Sequence, residues 1–129
     1  CVIADLSFGF WAGLFVARLD RVLYSKGLDK VFPLRPTGMQ RARLHDGLDK
    51  LRTLRNRVAH HEPLFHRNLP KAHGLIVKLA GFISSDSANW IKHHSQFETA
   101  WENIPELNPD AKRILDQARN RDNNFDVLN

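Results

Sequence analysis

Apolar residues near the start of the chain recur at steps of three and four, which is the spacing of one face of an α-helix. Asp5 and Ser7 stand before this pattern, and either side chain can cap a helix. Gly27 follows the last apolar position and is a typical helix end. The pattern therefore predicts a first helix from about Asp5 or Ser7 to Gly27. Its apolar positions are Phe8, Trp11, Leu14, Phe15, Leu19, Val22 and Leu23.

A second and longer helix is predicted over residues 38–61. Pro36, the second of two prolines, breaks the chain before it, and Thr37 is placed to cap it. The residue before a proline is pushed out of the α region, so Pro63 indicates where this helix has ended. Its apolar stripe consists of Leu44, Leu48, Leu51, Leu54 and Val58.

A third helix is predicted from a capping residue followed by proline in the first turn. Asn68 is the cap, Pro70 is the proline, and the helix ends around Ser84 or Ser85. Its apolar positions are Leu75, Ile76, Leu79, Phe82 and Ile83.

The last third of the chain predicts two more helices. Asp86 or Ser87 caps the fourth, and Asn108–Pro109 begins a short fifth helix that reaches about Arg119. Residues 120–129 have little to bury and are expected to fray. No window alternates with a period of two for long enough to predict a strand, so we expect an all-α bundle of four to five helices. The apolar positions of the fourth helix are Trp90, Ile91, Phe97 and Trp101.

Length and composition indicate one domain. With 129 residues, 43% of them hydrophobic, residues 1–129 are expected to form a single helical domain with its own core. Cys1 is the single cysteine, which excludes an internal disulfide framework. The sequence contains no apolar run long enough to span a bilayer and no signal peptide, so we expect a cytoplasmic protein without a membrane partner. The chain does not begin with Met, which predicts that it was cut from a longer protein.

Positive charge is concentrated in the second predicted helix. The net charge is +5, and residues 35–57 carry seven Lys and Arg side chains against Asp46 and Asp49. Such a distribution favours an anionic partner.

The segment from Arg55 to Pro63 contains an arginine, an asparagine and two adjacent histidines at the predicted end of this helix. On an ideal helix Arg55 lies only about 20° from Leu44, inside the sector of the apolar stripe. A charge in that sector has to face a carboxylate, a cleft or the same surface of a second copy of the chain. Asp20 and Asp46 are the candidate carboxylates for a structural ion pair.

Asn56 and His60 are four residues apart and therefore neighbours on one helix face, where the Asn56 amide can orient the imidazole. Histidine can accept a ribose 2′-hydroxyl proton near neutral pH, and arginine can stabilise charge on a phosphate. This set is compatible with phosphodiester cleavage that needs no metal. However, Arg55 and His60 are about 140° apart on an ideal helix. One chain therefore does not bring both to the same phosphate unless the helix end distorts.

A metal site is the alternative chemistry. Adjacent histidines point apart, whereas zinc ligands on a helix are spaced four residues apart with a further ligand behind. The chain has no His-Glu-x-x-His pattern and no glycine-rich phosphate loop, so we expect no metal and no cofactor. The histidines considered were His60, His61, His66, His93 and His94.

Beyond these spacings, Arg55-Asn56-Arg57-Val58-Ala59-His60 resembles the Arg-Asn-x-x-x-His signature of HEPN domains. The longer string from Leu54 to Phe65 resembles the Abi-like (AbiD and AbiF type) abortive-infection proteins of bacteria. The stretches Leu6 to Trp11 and Leu79 to Ile91 are also similar to that family's pattern. The resemblance covers roughly residues 1 to 100.

The resemblance implies a HEPN-like bundle that forms a homodimer, with the signature helices of two protomers facing each other across a cleft. It also implies RNA cleavage without metal, which leaves a 2′,3′-cyclic phosphate and a 5′-hydroxyl. In that activity His60 is the acid or base, Arg55 orients the scissile phosphate and stabilises its transition state, and Asn56 positions the histidine. Three further side chains are candidates for binding RNA: Arg52, Arg57 and His61.

Two departures limit what the resemblance implies. Glu62 stands where related toxins that are paired with nucleotidyltransferase antitoxins often carry a tyrosine, so regulation through that tyrosine is not expected. Abi-like proteins are also typically longer, which implies a missing amino-terminal part or a separate regulator. Two alternatives stay open: a catalytically silent HEPN module that binds RNA or a protein partner, and a purely structural domain in which Arg55 pairs with an acid.

Overall fold

A computed structural model describes residues 6–64 and 67–103, together with Arg113 and Gln117. Within these residues the chain forms α-helices and no strand, which confirms the all-α prediction. No helix in the described part combines the length and the apolar character needed to cross a membrane. The helices are α1 (Phe8–Gly13), α2 (Arg41–Ala59), α3 (Leu69–Ile83), α4 (Ser85–His94) and α5 (Phe97–Glu102).

The first predicted helix is wrong in its length. Ser7 caps α1, its side chain accepting a hydrogen bond from the Phe10 N–H, but α1 ends at Gly13. Val16 then adopts an extended backbone, and short 3₁₀ and π-helical turns replace the helix as far as Val31. The break lets Phe15 turn into the core, where its ring packs against Phe32 at a centroid distance of 5.5 Å. Burial of this ring therefore takes precedence over helical continuity.

The long helix α2 starts three residues later than predicted. Gly38 has a φ of 81°, and the Met39 N–H donates to the Pro36 carbonyl at 3.1 Å. This turn keeps Thr37 from capping the helix, which instead begins after Gln40 without a side-chain cap. The predicted Thr37 cap is therefore wrong, because glycine's left-handed conformation ends a turn just where the helix was expected to start.

The third helix is confirmed at both ends. Asn68 caps α3 by accepting a hydrogen bond from the Lys71 N–H at 3.1 Å, with Pro70 in the first turn. Ser84 is extended and separates α3 from α4. Its hydroxyl accepts from the Ser87 N–H, so Ser84, and not Asp86 or Ser87, caps α4.

The predicted fourth helix is two helices. Ser95 is extended, which ends α4 at His94, and α5 starts at Phe97. The Ser95 hydroxyl accepts from the Phe97 N–H at 3.2 Å and bonds the His73 ring at 3.0 Å. These two bonds stabilise the break. The helix predicted from Asn108–Pro109 to about Arg119 and the fraying predicted for 120–129 lie outside the described residues, apart from Arg113 and Gln117.

The core is built from α1, α2 and α3 with the segment around Phe32, and α4 packs on α3. Leu44 is its most buried side chain, with 0% exposed. Farther along α2, Leu51 and Leu54 are only partly buried against the core, and Val58 is 55% exposed. The last turn of α2 therefore extends beyond the elements that cover its apolar stripe. The buried core residues are Ala12, Phe15, Phe32, Leu44, Leu48, Ala72, Leu75, Leu79 and Phe82.

Candidate functional site

Arg55 is exposed, although it lies in the same angular sector as the buried Leu44. Arg55 lies near the end of α2, whereas the described neighbouring helices cover the earlier turns of this helix. The structural ion pair predicted for Arg55 is wrong. Asp20 pairs with Arg41 at 3.4 Å, and Asp46 pairs with Lys50 at 3.2 Å.

Asn56 lies next to Arg55 and is hydrogen-bonded to it. The Arg55 Nη1 donates to the Asn56 Oδ1 at 3.2 Å. His60 is exposed, and in the described part of the chain its ring forms no hydrogen bond with Asn56 or any other group. The structure therefore brings Asn56 to the arginine, whereas the spacing predicted contact with the histidine.

The end of α2 has a defined geometry. His60 is the first residue after the helix, and His61 has a φ of 54°, in the left-handed region. The His61 N–H donates to the Val58 carbonyl at 3.2 Å, and the Glu62 N–H donates to the Arg57 carbonyl at 2.9 Å. This pair of bonds is a Schellman motif. The motif turns the chain sharply and ends α2 at Ala59, before Pro63 is reached. Both histidines lie at the surface.

Replacing His61 by glycine is expected to raise the free energy of unfolding by about 1 kcal/mol, because a left-handed backbone costs a residue with a Cβ roughly 1–2 kcal/mol. Urea unfolding followed by circular dichroism measures the change. Ala59→Gly is the matched control: Ala59 is helical, so the same new residue should lower stability by about 1 kcal/mol there. A loss of stability in both variants would contradict the assigned helix end.

Many of the cations in residues 35–57 form ion pairs with carboxylates of the described residues. The two proposed RNA-binding arginines are among them: Arg52 pairs with Asp49 at 2.7 Å, and Arg57 pairs with Glu62 at 3.7 Å. Arg55 differs, since no described carboxylate pairs with it. Partly exposed ion pairs are weak, so Arg52 and Arg57 can exchange their carboxylates for a phosphate at little cost. Arg35, Arg41 and Lys50 also form such pairs.

A small cavity of about 240 Å³ lies on the side of α2 that carries Arg57. Asp46 and Asp49 line it together with Lys50, Arg57 and Arg67. Its mixed charge is largely compensated within the protein. A polyanion would therefore meet more uncompensated positive charge at Arg55 than at Arg57.

The helix α1 presents exposed aromatic side chains beside the basic face of α2. Phe8, Phe10 and Trp11 are all exposed, and a Cβ added at Gly9 would lie 3.6 Å from the Arg52 Cδ. Sequence reasoning assigned Phe8 and Trp11 to a core face and missed this surface. The signal was present, because residues 8 and 10 are about 160° apart on a helix and do not share one packed face.

No group of three or more His, Cys, Asp or Glu side chains capable of holding a metal occurs among the described residues. Of the histidines considered as ligands, His66 lies outside those residues. The exposed His93 and His94 contact each other edge to face on α4, at a centroid distance of 4.9 Å.

Truncating Arg55 to alanine is expected to change the free energy of unfolding by less than about 1 kcal/mol, because an exposed arginine without a carboxylate partner contributes little to stability. A buried ion pair would lose roughly 3–5 kcal/mol instead. Arg41→Ala is the matched control. Arg41 is partly buried, pairs with Asp20 and donates to the Phe15 carbonyl, so its removal should cost clearly more. Equal losses would argue that Arg55 has a structural role.

Comparison of the chain with protein-family models, with curated proteins and with solved structures gives no match.

Proposed function

We propose that this chain is a cytoplasmic, metal-independent endoribonuclease of HEPN type that acts in bacterial abortive infection, with an active site shared across a homodimer. Arg55, Asn56 and His60 are its catalytic residues, and Arg52, Arg57 and His61 bind the RNA backbone. The observation that carries the proposal is the exposure of both Arg55 and His60 at the end of α2, neither being paired with a carboxylate of the described chain.

Exposure supports a functional role because a structural role would have buried these groups or paired them. A guanidinium without an acidic partner can accept a phosphate without first breaking an ion pair. An exposed imidazole is accessible to the 2′-hydroxyl of a bound strand. Both are held near a rigid helix end, which suits a site that must align reacting groups.

In the proposed reaction, one His60 accepts the proton of a ribose 2′-hydroxyl, and that oxygen attacks the adjacent phosphorus. The bond between phosphorus and the 5′-oxygen breaks, and the leaving oxygen takes a proton from a solvent water molecule. The products are a 2′,3′-cyclic phosphate and a 5′-hydroxyl. Arg55 stabilises the negative charge that builds on the phosphate oxygens. Asn56 holds Arg55 through the observed hydrogen bond.

We infer that two copies of the chain form the site, because Arg55 and His60 are about 140° apart on a regular helix. The His60 N–H keeps the helical bond to the Asn56 carbonyl at 2.9 Å, so this residue stays close to its helical position. A two-fold axis between two α2 helices would bring Arg55 of one copy to His60 of the other. Exposed apolar side chains occur on two helices that pack together: Val58 lies on α2 itself, and Phe10 and Trp11 lie on α1. Their burial would favour association of two copies.

The test is to incubate the purified chain with a single-stranded RNA in excess EDTA and to identify the end groups of the products. We expect fragments that end in a 2′,3′-cyclic phosphate, produced by a protein that sediments as a dimer. Products with a 3′-hydroxyl, or cleavage that requires added Mg²⁺, would contradict the mechanism. RNA binding by the dimer without cleavage would favour the catalytically silent module.

A further inference from the structure

A second and larger cavity, of about 810 Å³, lies away from the Arg55 site, between α3, α4 and the start of α5. Its volume is within the range of sites that bind small organic molecules. One part of its wall is apolar and includes Leu34, Val77 and Phe82. The Leu34 N–H donates to the Phe82 carbonyl at 2.9 Å, which holds this part of the wall at the end of α3. The cavity therefore offers an apolar surface to a ligand.

A serine and a histidine form a hydrogen-bonded pair in the wall of this cavity. The Ser95 Oγ lies 3.0 Å from the His73 Nε2, and both residues are partly exposed. The Ser95 Oγ also accepts a hydrogen bond from the Phe97 N–H at 3.2 Å. A hydroxyl that accepts a bond keeps its own hydrogen, so Ser95 can donate to the imidazole. A hydroxyl that donates to an imidazole is the arrangement that activates a serine as a nucleophile.

The imidazole of His73 is held in place by a stack of aromatic rings. It stacks on Phe97 with a centroid distance of 4.6 Å and an interplanar angle of 14°. Phe97 in turn stacks on Trp101 at 5.9 Å. The stack and the hydrogen bond to Ser95 together fix the position of the imidazole between α3 and α5. A base that is already aligned with its nucleophile lowers the cost of bringing the reacting groups together.

We propose that this cavity hydrolyses carboxylic esters that carry an apolar acyl chain, with Ser95 as the nucleophile and His73 as the general base. The apolar wall packs against the acyl chain. Lys92 lines the same cavity, three residues before Ser95, and its ammonium group stabilises the negative charge that develops on the carbonyl oxygen. None of these residues belongs to the Arg55 site, so the inference does not depend on the proposed ribonuclease activity.

The reaction has two steps. In the first, the Ser95 Oγ attacks the carbonyl carbon and its proton passes to the His73 Nε2. The bond between that carbon and the alcohol oxygen breaks, and the leaving oxygen takes the proton from His73. In the second step, a water oxygen attacks the acyl carbon of the acyl-serine and gives a proton to His73. The carboxylic acid leaves, and His73 returns the proton to the Ser95 Oγ.

The test is to treat the full chain with an alkyl fluorophosphonate, whose phosphorus forms a bond to an activated serine oxygen as fluoride leaves. We expect mass spectrometry to find the adduct on Ser95, and the untreated protein to hydrolyse p-nitrophenyl butyrate. Ser25 is the internal control, because it is exposed and its hydroxyl donates to the Arg21 carbonyl, with no imidazole as partner. Labelling of Ser95 no faster than Ser25, or a protein that does not hydrolyse the ester, would contradict the proposal.

Variants connect the reaction to the pair. His73→Gln keeps a side chain that can form hydrogen bonds but removes the base, so labelling of Ser95 should slow at least about a hundredfold. A Cβ added at Gly74, which lines the cavity, would meet no atom within 4 Å. Gly74→Phe should therefore fill the open space without disturbing the fold and should abolish ester hydrolysis.

Ile76→Phe is the matched control, since Ile76 is exposed on the same helix and lies outside the cavity. This variant should hydrolyse the ester at the wild-type rate. Ser95→Ala should lose the activity together with the adduct. If Ser95→Ala or Gly74→Phe hydrolyses the ester as fast as wild type, the reaction belongs to another group, such as a surface imidazole, and the proposal is wrong.

Discussion

The His60→Ala variant is expected to cleave RNA at least about a hundredfold more slowly than the wild-type chain, because general acid–base catalysis typically contributes a factor of 10² to 10⁴. Single-turnover cleavage of a labelled RNA in EDTA measures the rate constant of the chemical step. Since the His60 side chain is exposed and has no described partner, its removal should leave the thermal unfolding curve unchanged. A loss of activity with preserved stability would show that the side chain acts in the reaction.

His93→Ala is the matched control for this prediction. His93 is also exposed and also lies at the end of a helix, α4, but it is outside the signature. We expect its substitution to leave the cleavage rate within about twofold of wild type. If both variants lose activity equally, the effect cannot be assigned to a site at the end of α2.

Mixing two inactive variants tests whether the site is shared. If Arg55 of one copy works with His60 of the other, a heterodimer of Arg55→Ala and His60→Ala chains has one site with both residues intact and one with neither. Equal mixing with free exchange should restore about a quarter of the wild-type activity. Failure to restore activity, in a sample where heterodimers are shown by mass spectrometry, would argue against the shared site.

Leu44→Ala is expected to lower the free energy of unfolding by about 3 kcal/mol, within the 2–5 kcal/mol found for large-to-small substitutions in cores. Leu44 has no exposed surface and lies among side chains from several elements of the core, so truncation leaves a cavity that the surroundings fill only in part. Urea unfolding, followed at one low protein concentration, gives the value from the midpoint and slope.

Val58→Ala provides the comparison within the same helix and the same apolar stripe. Val58 is 55% exposed, so its truncation should cost less than about 1 kcal/mol under these dilute conditions. Equal losses at both positions would mean that the stripe is buried along its whole length. That result would contradict the extension of α2 beyond the core and the exposure of Arg55 that follows from it.

The parts of the fold that were predicted well are those in which local signals agree. Around α3, the Asn68 cap, the following proline and the apolar spacing all indicate the same element, and both ends are confirmed. Local signals were misleading where a buried side chain competes with helix geometry. Phe15 breaks the first helix by entering the core, and Ser95 divides the fourth by bonding His73. Both contacts join residues that are distant in sequence, so periodicity could not reveal them.

In the candidate site, too, some features were predicted from the sequence and others were not. The residue types at the end of α2 and the separation of Arg55 and His60 follow from the sequence alone. Of the three surroundings considered for Arg55, a carboxylate partner is not found among the described residues, whereas a cleft or a second copy of the chain stays a prediction. A helical projection gives an angle and contains no information about which turns of the helix the neighbouring helices cover. The hydrogen bond from Arg55 to Asn56 and the left-handed His61 were not foreseen either. They depend on rotamers and on how the chain leaves the helix.

The sequence by itself determined that the chain is helical, where α3 begins and ends, and which residues can carry phosphodiester chemistry. These properties depend on contacts between residues three or four positions apart, which the order of amino acids specifies directly. Only the tertiary structure decided that the last turn of α2 extends beyond the packed core, so that Arg55 and His60 face solvent, and that Phe15 packs against Phe32 in the core. Both features depend on which surfaces distant segments cover, and burial is a property of the packed chain as a whole.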